Sequence, residues 1–147
     1  MKINRFILIL IFSACTLTAC GIQNPLTMLN APTPVQNPNP GKATVTGKVI
    51  STITKKPLKT TVWLAEVYRH DNEAIYLFDS VNTINVFSDQ NGLFVISNVD
   101  PKEYVIIVGN PEGKDEVIED QAGNPKVWKI PAGQIFNTGE LKVGLTK

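Results

Sequence analysis

From Thr44 onward the chain predicts an all-β domain, an antiparallel sandwich or barrel, on three observations. Apolar residues recur with period two, the runs are short, and each ends at a cluster of Gly, Pro, Asn or Asp. Val45, Gly47 and Val49 alternate with Thr44, Thr46 and Lys48. Trp63, Ala65 and Val67 alternate with Val62, Leu64 and Glu66, and Trp63 takes the inward register. Phe94 and Ile96 share a face, as do Tyr104, Ile106 and Val108; Leu141, Val143 and Leu145 close the chain. Breaks fall at Asp89–Gly92, Asn98–Lys102, Asn110–Gly113, Gly123–Pro125 and Pro131–Gly133. No capped amphipathic helix interrupts this pattern.

A different kind of segment precedes it. Lys2 and Arg5 form a basic head, Phe6 to Phe12 is unbroken hydrocarbon, and small and polar residues lead to Leu17-Thr18-Ala19-Cys20. That is the layout of a secretory leader, and the apolar run is shorter than the roughly 20 residues a spanning helix needs. The last four residues resemble the bacterial lipobox. The resemblance implies a lipoprotein: a diacylglyceryl thioether on Cys20, cleavage of residues 1–19, and acyl chains such as palmitate holding the protein on a membrane. Two or more chains anchor stably where one is marginal. Gly21 stands where an aspartate would retain a lipoprotein at the inner membrane, which implies the outer membrane in a two-membrane host.

Residues 20–43 then read as the lipidated cysteine and a linker. Pro25, Pro32, Pro34, Pro38 and Pro40 are interleaved with asparagines, and only Leu26, Met28 and Leu29 supply apolar area. Prolines fix φ and remove donors, so the linker is extended and semi-stiff. The whole chain carries 14 Lys and Arg against 13 Asp and Glu, and losing Lys2 and Arg5 with the leader takes the net charge from +1 to −1. Such a balance gives no electrostatic footprint for nucleic acid. Cys15 leaves with the leader, so Cys20 is the sole mature cysteine and no internal disulfide or thiolate metal site is expected. The domain of residues 44–147 must be held by burial, for which its size is adequate.

Its motifs occur in a telling order. Thr46-Gly47-Lys48-Val49 opens a strand, Lys56-Pro57-Leu58 makes a turn, and Val62 to Val67 is the next strand. Ser88-Asp89-Gln90-Asn91-Gly92-Leu93-Phe94 and Asn98-Val99-Asp100-Pro101-Lys102-Glu103-Tyr104 follow. This order resembles the carboxypeptidase regulatory-like (transthyretin-like, or prealbumin-like) β-sandwich family, over most of residues 44–147. Pro131 to Gln134 and Thr138 to Leu141 resemble its closing hairpin. The resemblance implies a sandwich and a non-catalytic role, since the family name refers to a domain that accompanies peptidases. Asn91-Gly92 supplies positive-φ positions for a hairpin, Phe94 and Tyr104 go between the sheets, and Pro101 sets the turn that returns the Tyr104 strand beside its neighbour. Thr60-Thr61 departs from the family's Gly-Ala. Lys102 replaces a turn glycine and must take a strained φ or another turn, and residues 69–87 form a longer or additional hairpin.

Candidate sites are few. His70, the sole histidine, sits beside Asp71 and Glu73 in a loop, with no second histidine or thiol to complete a zinc site. No Gly-x-Ser-x-Gly elbow is present, and no enzyme activity or cofactor is expected. Glu112, Asp115, Glu116, Glu119 and Asp120 crowd one stretch without EF-hand spacing and read as a solvated loop. A related family of surface sandwiches carries a Lys–Asn isopeptide crosslink; Val108 stands where its catalytic acid belongs, so no such bond is expected. Tyr68, Tyr76 and Trp128 are the candidates for facing a ligand. The expected function is a lipid-anchored interaction or structural module of the cell envelope, with an envelope protein or glycan as partner; a carbohydrate- or other ligand-binding surface lipoprotein is the alternative.

Overall fold

The computed structural model describes residues 34–71 and 73–146; Cys20, the leader and most of the linker lie outside them. Among the described residues nine strands form two sheets. The first sheet has β1 (Ala43–Ser51) at its centre, between β5 (Leu93–Val99) and β9 (Ile135–Val143). In the second, β2 (Thr61–His70) lies against β6 (Glu103–Gly109). The outer edge of β2 carries β4 (Ile84–Phe87) and β3 (Glu73–Tyr76), and that of β6 carries β7 (Asp115–Val117) and β8 (Val127–Lys129). The all-β sandwich expected from the period-two pattern is therefore what the chain adopts.

One core fills the space between the sheets. Val45, Val49, Phe94, Ile96, Leu141 and Val143 come from the first sheet; Val62, Leu64, Tyr104, Ile106, Val108 and Trp128 come from the second. Gly47 faces Phe94 across β1 and β5, and a Cβ there would meet both the Phe94 ring and the Thr138 hydroxyl, so the glycine makes room for the ring. Phe94 and Tyr104 are both fully buried, as the motif reading expects.

The connections differ from that reading. β1 and β9 run parallel, because β9 arrives by a crossover from the opposite sheet. Pro131 to Gln134 is that crossover and not part of a hairpin, since β8 and β9 belong to different sheets. The Asp89–Gly92 turn also passes between sheets, from β4 to β5, and only Gly92 takes positive φ, at 74°. Asp89 organises it through Oδ1, which accepts from Asn91 and Leu93 N–H at 2.8 and 2.9 Å. Pro101 likewise carries the chain from β5 to β6, so the Tyr104 strand returns beside β2 and not beside β5. Lys102 avoids the left-handed region altogether; Asn98, at φ 60°, takes up that geometry, as asparagine readily does.

Trp63 requires the largest correction. It points away from the space between the sheets, yet is 1% exposed. Trp63, Ala65, Val105 and Ile107 form a second apolar cluster on the outer face of the second sheet, covered by Val67, Tyr76, Phe78 and Val117. Residues 77–83, which join β3 to β4, cross this face: Phe78 meets Trp63 edge-on at 5.5 Å, and Trp63 Nε1 donates to the Ser80 carbonyl at 3.1 Å. The expected additional hairpin is thus a cover that gives the sheet a second core.

Tyr104 supplies a pH signature. Its hydroxyl donates to the Asp100 carbonyl at 3.1 Å, and burial, helped by the Glu66 and Asp100 charges, pushes its pKa up to about 12. An unfolded tyrosine ionises near pH 10, so between about 10 and 12 the unfolded chain loses a proton that the folded one keeps. The stability present below pH 10 should therefore fall as pH rises through about 12. Tyr104→Phe is expected to remove this part of the alkaline slope and to cost about 1 kcal/mol at neutral pH through the lost hydrogen bond. Urea midpoints measured from pH 8 to 12 on both proteins check this.

Candidate interaction surface

β2 is longer than the cover above it. Its pairing with β6 ends at Glu66, and beyond this it pairs only with β3. Its burial accordingly falls from complete at Thr61–Ala65 to exposed at Tyr68–His70. The even-numbered face, which the first sheet covers at Val62 and Leu64, emerges there into solvent. Tyr68 sits opposite Ile75, and Ile84 opposite Leu64, while Leu77 N–H reaches the Glu66 carbonyl at 3.4 Å. Tyr68, Ile75, Leu77 and Ile84 are 44–63% exposed. Tyr68, Leu77 and Ile84 line a groove of about 310 Å³, with Leu64 and Tyr104 also in its wall.

The frame around this groove is polar and well tied. Asp79 accepts from Val81 N–H at 2.8 Å through Oδ1 and from the Asn82 amide at 2.6 Å through Oδ2. These bonds, with the Val81 N–H foremost, hold the Asp79 carboxyl below its usual range. Lys102 pairs with Glu66 at 2.7 Å, which raises the lysine pKa, and Arg69 pairs with Glu103 at 2.6 Å. Exposed pairs such as these add little stability, but the Lys102 ammonium balances the charge of Glu66, which lines the groove beside Tyr68. An apolar strip with a polar rim has the make-up of a recognition surface. It brings together no nucleophile with a base: His70 lies at the end of β2, 3.5 Å from Asp71, and both side chains are almost fully exposed.

Of the three candidate ligand-facing aromatics, only Tyr68 lies on this surface. Tyr76 sits on the opposite face of the sheet, half-buried in the Trp63 cluster. Trp128 is 6% exposed and belongs to the core between the sheets, with Lys126 Nζ 4.8 Å from its ring centroid. A common platform of the three is not assembled, because strand pairing sends neighbouring aromatics to opposite faces. Ile75, Leu77 and Ile84 lie in the Tyr68–Phe87 segment that the sequence sets apart, but were not named as ligand-facing. For Ile75 and Leu77 the signal was the run Ala74-Ile75-Tyr76-Leu77-Phe78, apolar on both faces of an extended chain; Ile84 lies outside it.

Two of the five acids in the acidic stretch are spent on structure. Asp120 Oδ1 accepts from Ala122 and Asn124 N–H at 2.8 and 3.0 Å, which lowers its pKa, and Glu116 accepts from Gly144 N–H at 2.7 Å. Among the described residues no three His, Cys, Asp or Glu side chains gather as metal ligands.

No protein-family model matches this chain, and no curated protein does. Among solved structures it is similar to a candidate carbohydrate-binding protein from Pseudomonas aeruginosa, at 14% identity and TM-score 0.43, over 73% of this chain and 92% of that one. It is also similar to the major pilin subunit of Bacillus cereus, at 18% identity and TM-score 0.41, over 74% of this chain and 31% of the pilin. A 9R-lipoxygenase from Cyanothece PCC8801 matches at 20% identity and TM-score 0.39, over 81% of this chain and 19% of the enzyme. The chain thus spans less than a third of the pilin and less than a fifth of the lipoxygenase. Likeness at this level says nothing of activity, ligand or partner.

Proposed function

We propose that this chain is a lipid-anchored, non-catalytic module of the extracytoplasmic face, which uses the uncovered end of its second sheet to hold another envelope protein. The observation that carries the reading is the exposed strip of Tyr68 on β2, Ile75 on β3, Ile84 on β4 and Leu77 just after β3. Ordered apolar side chains ringed by ion pairs suit a protein surface of complementary shape. A sugar ring stacks on an open aromatic face, and the strip offers one tyrosine, so a protein is the partner proposed. The anchor rests on Leu17-Thr18-Ala19-Cys20 alone, which lies outside the described residues.

A photo-crosslinker at Leu77 in intact cells tests both halves. One envelope protein should be captured, and the Ile75→Asp/Tyr68→Ala protein should lose it while keeping its thermal midpoint within a few degrees. Capture unaffected by that pair of changes, or retention on a glycan that depends on Tyr68, would defeat the protein-docking reading. Mass spectrometry of the N-terminal peptide should show lipid on Cys20, and Cys20→Ser should leave the membrane fraction while staying folded. An unmodified Cys20 thiol in the mature protein would remove the anchor.

A further inference from the structure

A second concavity, at the other end of β2, has a different chemistry. It lies where the β1–β2 connection, the turn between β6 and β7, and the segment after β9 meet, and it encloses about 500 Å³. Lys59 and Lys114 reach it from two separate connections, and no carboxylate lines it. Neither lysine has an ion-pair partner among the described residues, as is true of most lysines there; what sets these two apart is that they share one concave surface. Glu112 and Asp115 stand beside Lys114 in the chain without lining the cavity, and Glu116 is engaged with Gly144 N–H. Two unpaired cations on one concave surface of a nearly neutral protein form a local site of positive potential.

Thr61, one of the lining residues, has an unpartnered hydroxyl that is itself closed off from solvent. Thr61 is 2% exposed, and its Oγ1 has no hydrogen-bond partner among the described residues. The neighbouring Thr60 hydroxyl is committed to the Gly109 carbonyl at 2.6 Å, so the difference is specific to Thr61. Buried hydroxyls without partners are destabilising and uncommon, and each calls for a reason. Ile53 and Phe87, both exposed at the rim, and Leu145 add apolar surface beside the charges.

We propose that this end cavity binds a small organic anion with an apolar body, its charged group between Lys59 and Lys114 and its hydrocarbon against Ile53, Phe87 and Leu145. Thr61 stands in the wall of the site, and a turn of its χ1 would bring the unpartnered hydroxyl to the ligand. This site is independent of the protein-docking strip and stands whether or not that reading does.

Decanoate below its aggregation concentration is the probe, titrated into the mature chain carrying Cys20→Ser and followed by backbone amide NMR. Saturable shifts are expected at Thr61, Asn110 and Gly113, with decanol and inorganic phosphate each binding at least about tenfold more weakly, a difference of one decade in Kd. Lys59→Gln/Lys114→Gln should weaken decanoate by about tenfold or more and remove the salt dependence of binding. Thr61→Val should raise the thermal midpoint of the free protein and weaken decanoate. Equal affinity for decanol, indifference to the double lysine change, absence of saturable binding, or binding confined to anionic vesicles would each overturn the proposal. A fall in midpoint on Thr61→Val would show that the hydroxyl serves the fold and would remove it from the site.

Discussion

Phe94→Ala is expected to lower the unfolding free energy by about 3–5 kcal/mol, as loss of a fully enclosed aromatic ring does. Phe94 comes from β5 in the first sheet and fills the space that Gly47 leaves open on β1. The cavity would lie in the main core between two hydrogen-bonded sheets, neither of which can collapse without breaking register. Urea denaturation checks this, with the midpoint falling and the slope unchanged, since the exposed area on unfolding stays nearly the same. Phe94→Leu should cost less, because much of the volume is retained. A loss below about 1 kcal/mol for the alanine variant would put Phe94 on the surface and overturn the register.

Trp63→Ala should cost a comparable 3–5 kcal/mol, although Trp63 faces away from the main core. Its ring is enclosed by the residues 77–83 cover, by edge contact with Phe78 and by the hydrogen bond to the Ser80 carbonyl. The two variants should differ in where they act. Phe94→Ala loosens both sheets together, whereas Trp63→Ala should raise amide exchange first in residues 77–83 and β4, leaving β1, β5 and β9 protected. Trp63→Phe, which keeps most of the ring and removes the N–H, should cost about 1 kcal/mol from the lost hydrogen bond. If Trp63→Ala left the exchange of residues 77–83 unchanged, that segment would not be held by the second cluster. The docking strip borders this cover, so the same variant should also weaken partner capture through Leu77.

What was readable in the chain was local. Alternation marks a strand, and Gly92 and Pro131 mark the ends of strands, because these signals arise from φ preferences and from side chains that point alternately up and down. Phe94 and Tyr104 were legible as core for the same reason. Each large ring falls in alternating register with further apolar residues, Phe94 with Ile96 and Tyr104 with Ile106 and Val108. The proposed leader and Cys20 anchor rest on linear sequence alone and lie outside the described residues.

Partner choice between strands was not local. The Asp89–Gly92 and Asp100–Lys102 turns have hairpin chemistry, yet both pass between sheets, because a turn sets the direction of the chain and not the sheet it joins. The two faces of β2 read alike in sequence, with Val62 and Leu64 on one and Trp63 and Ala65 on the other, and each face proves to have its own core. Which aromatics reach solvent followed from lengths that only folding sets against one another. β2 outruns β6 and the covering sheet, leaving Tyr68 outside, while β8 is held against β6 with Trp128 beneath the first sheet. Period and turn chemistry are properties of a few neighbouring residues, and they settled the fold class. Exposure depends on what a distant segment covers, so the location of the candidate surfaces emerged only when the two sheets were packed.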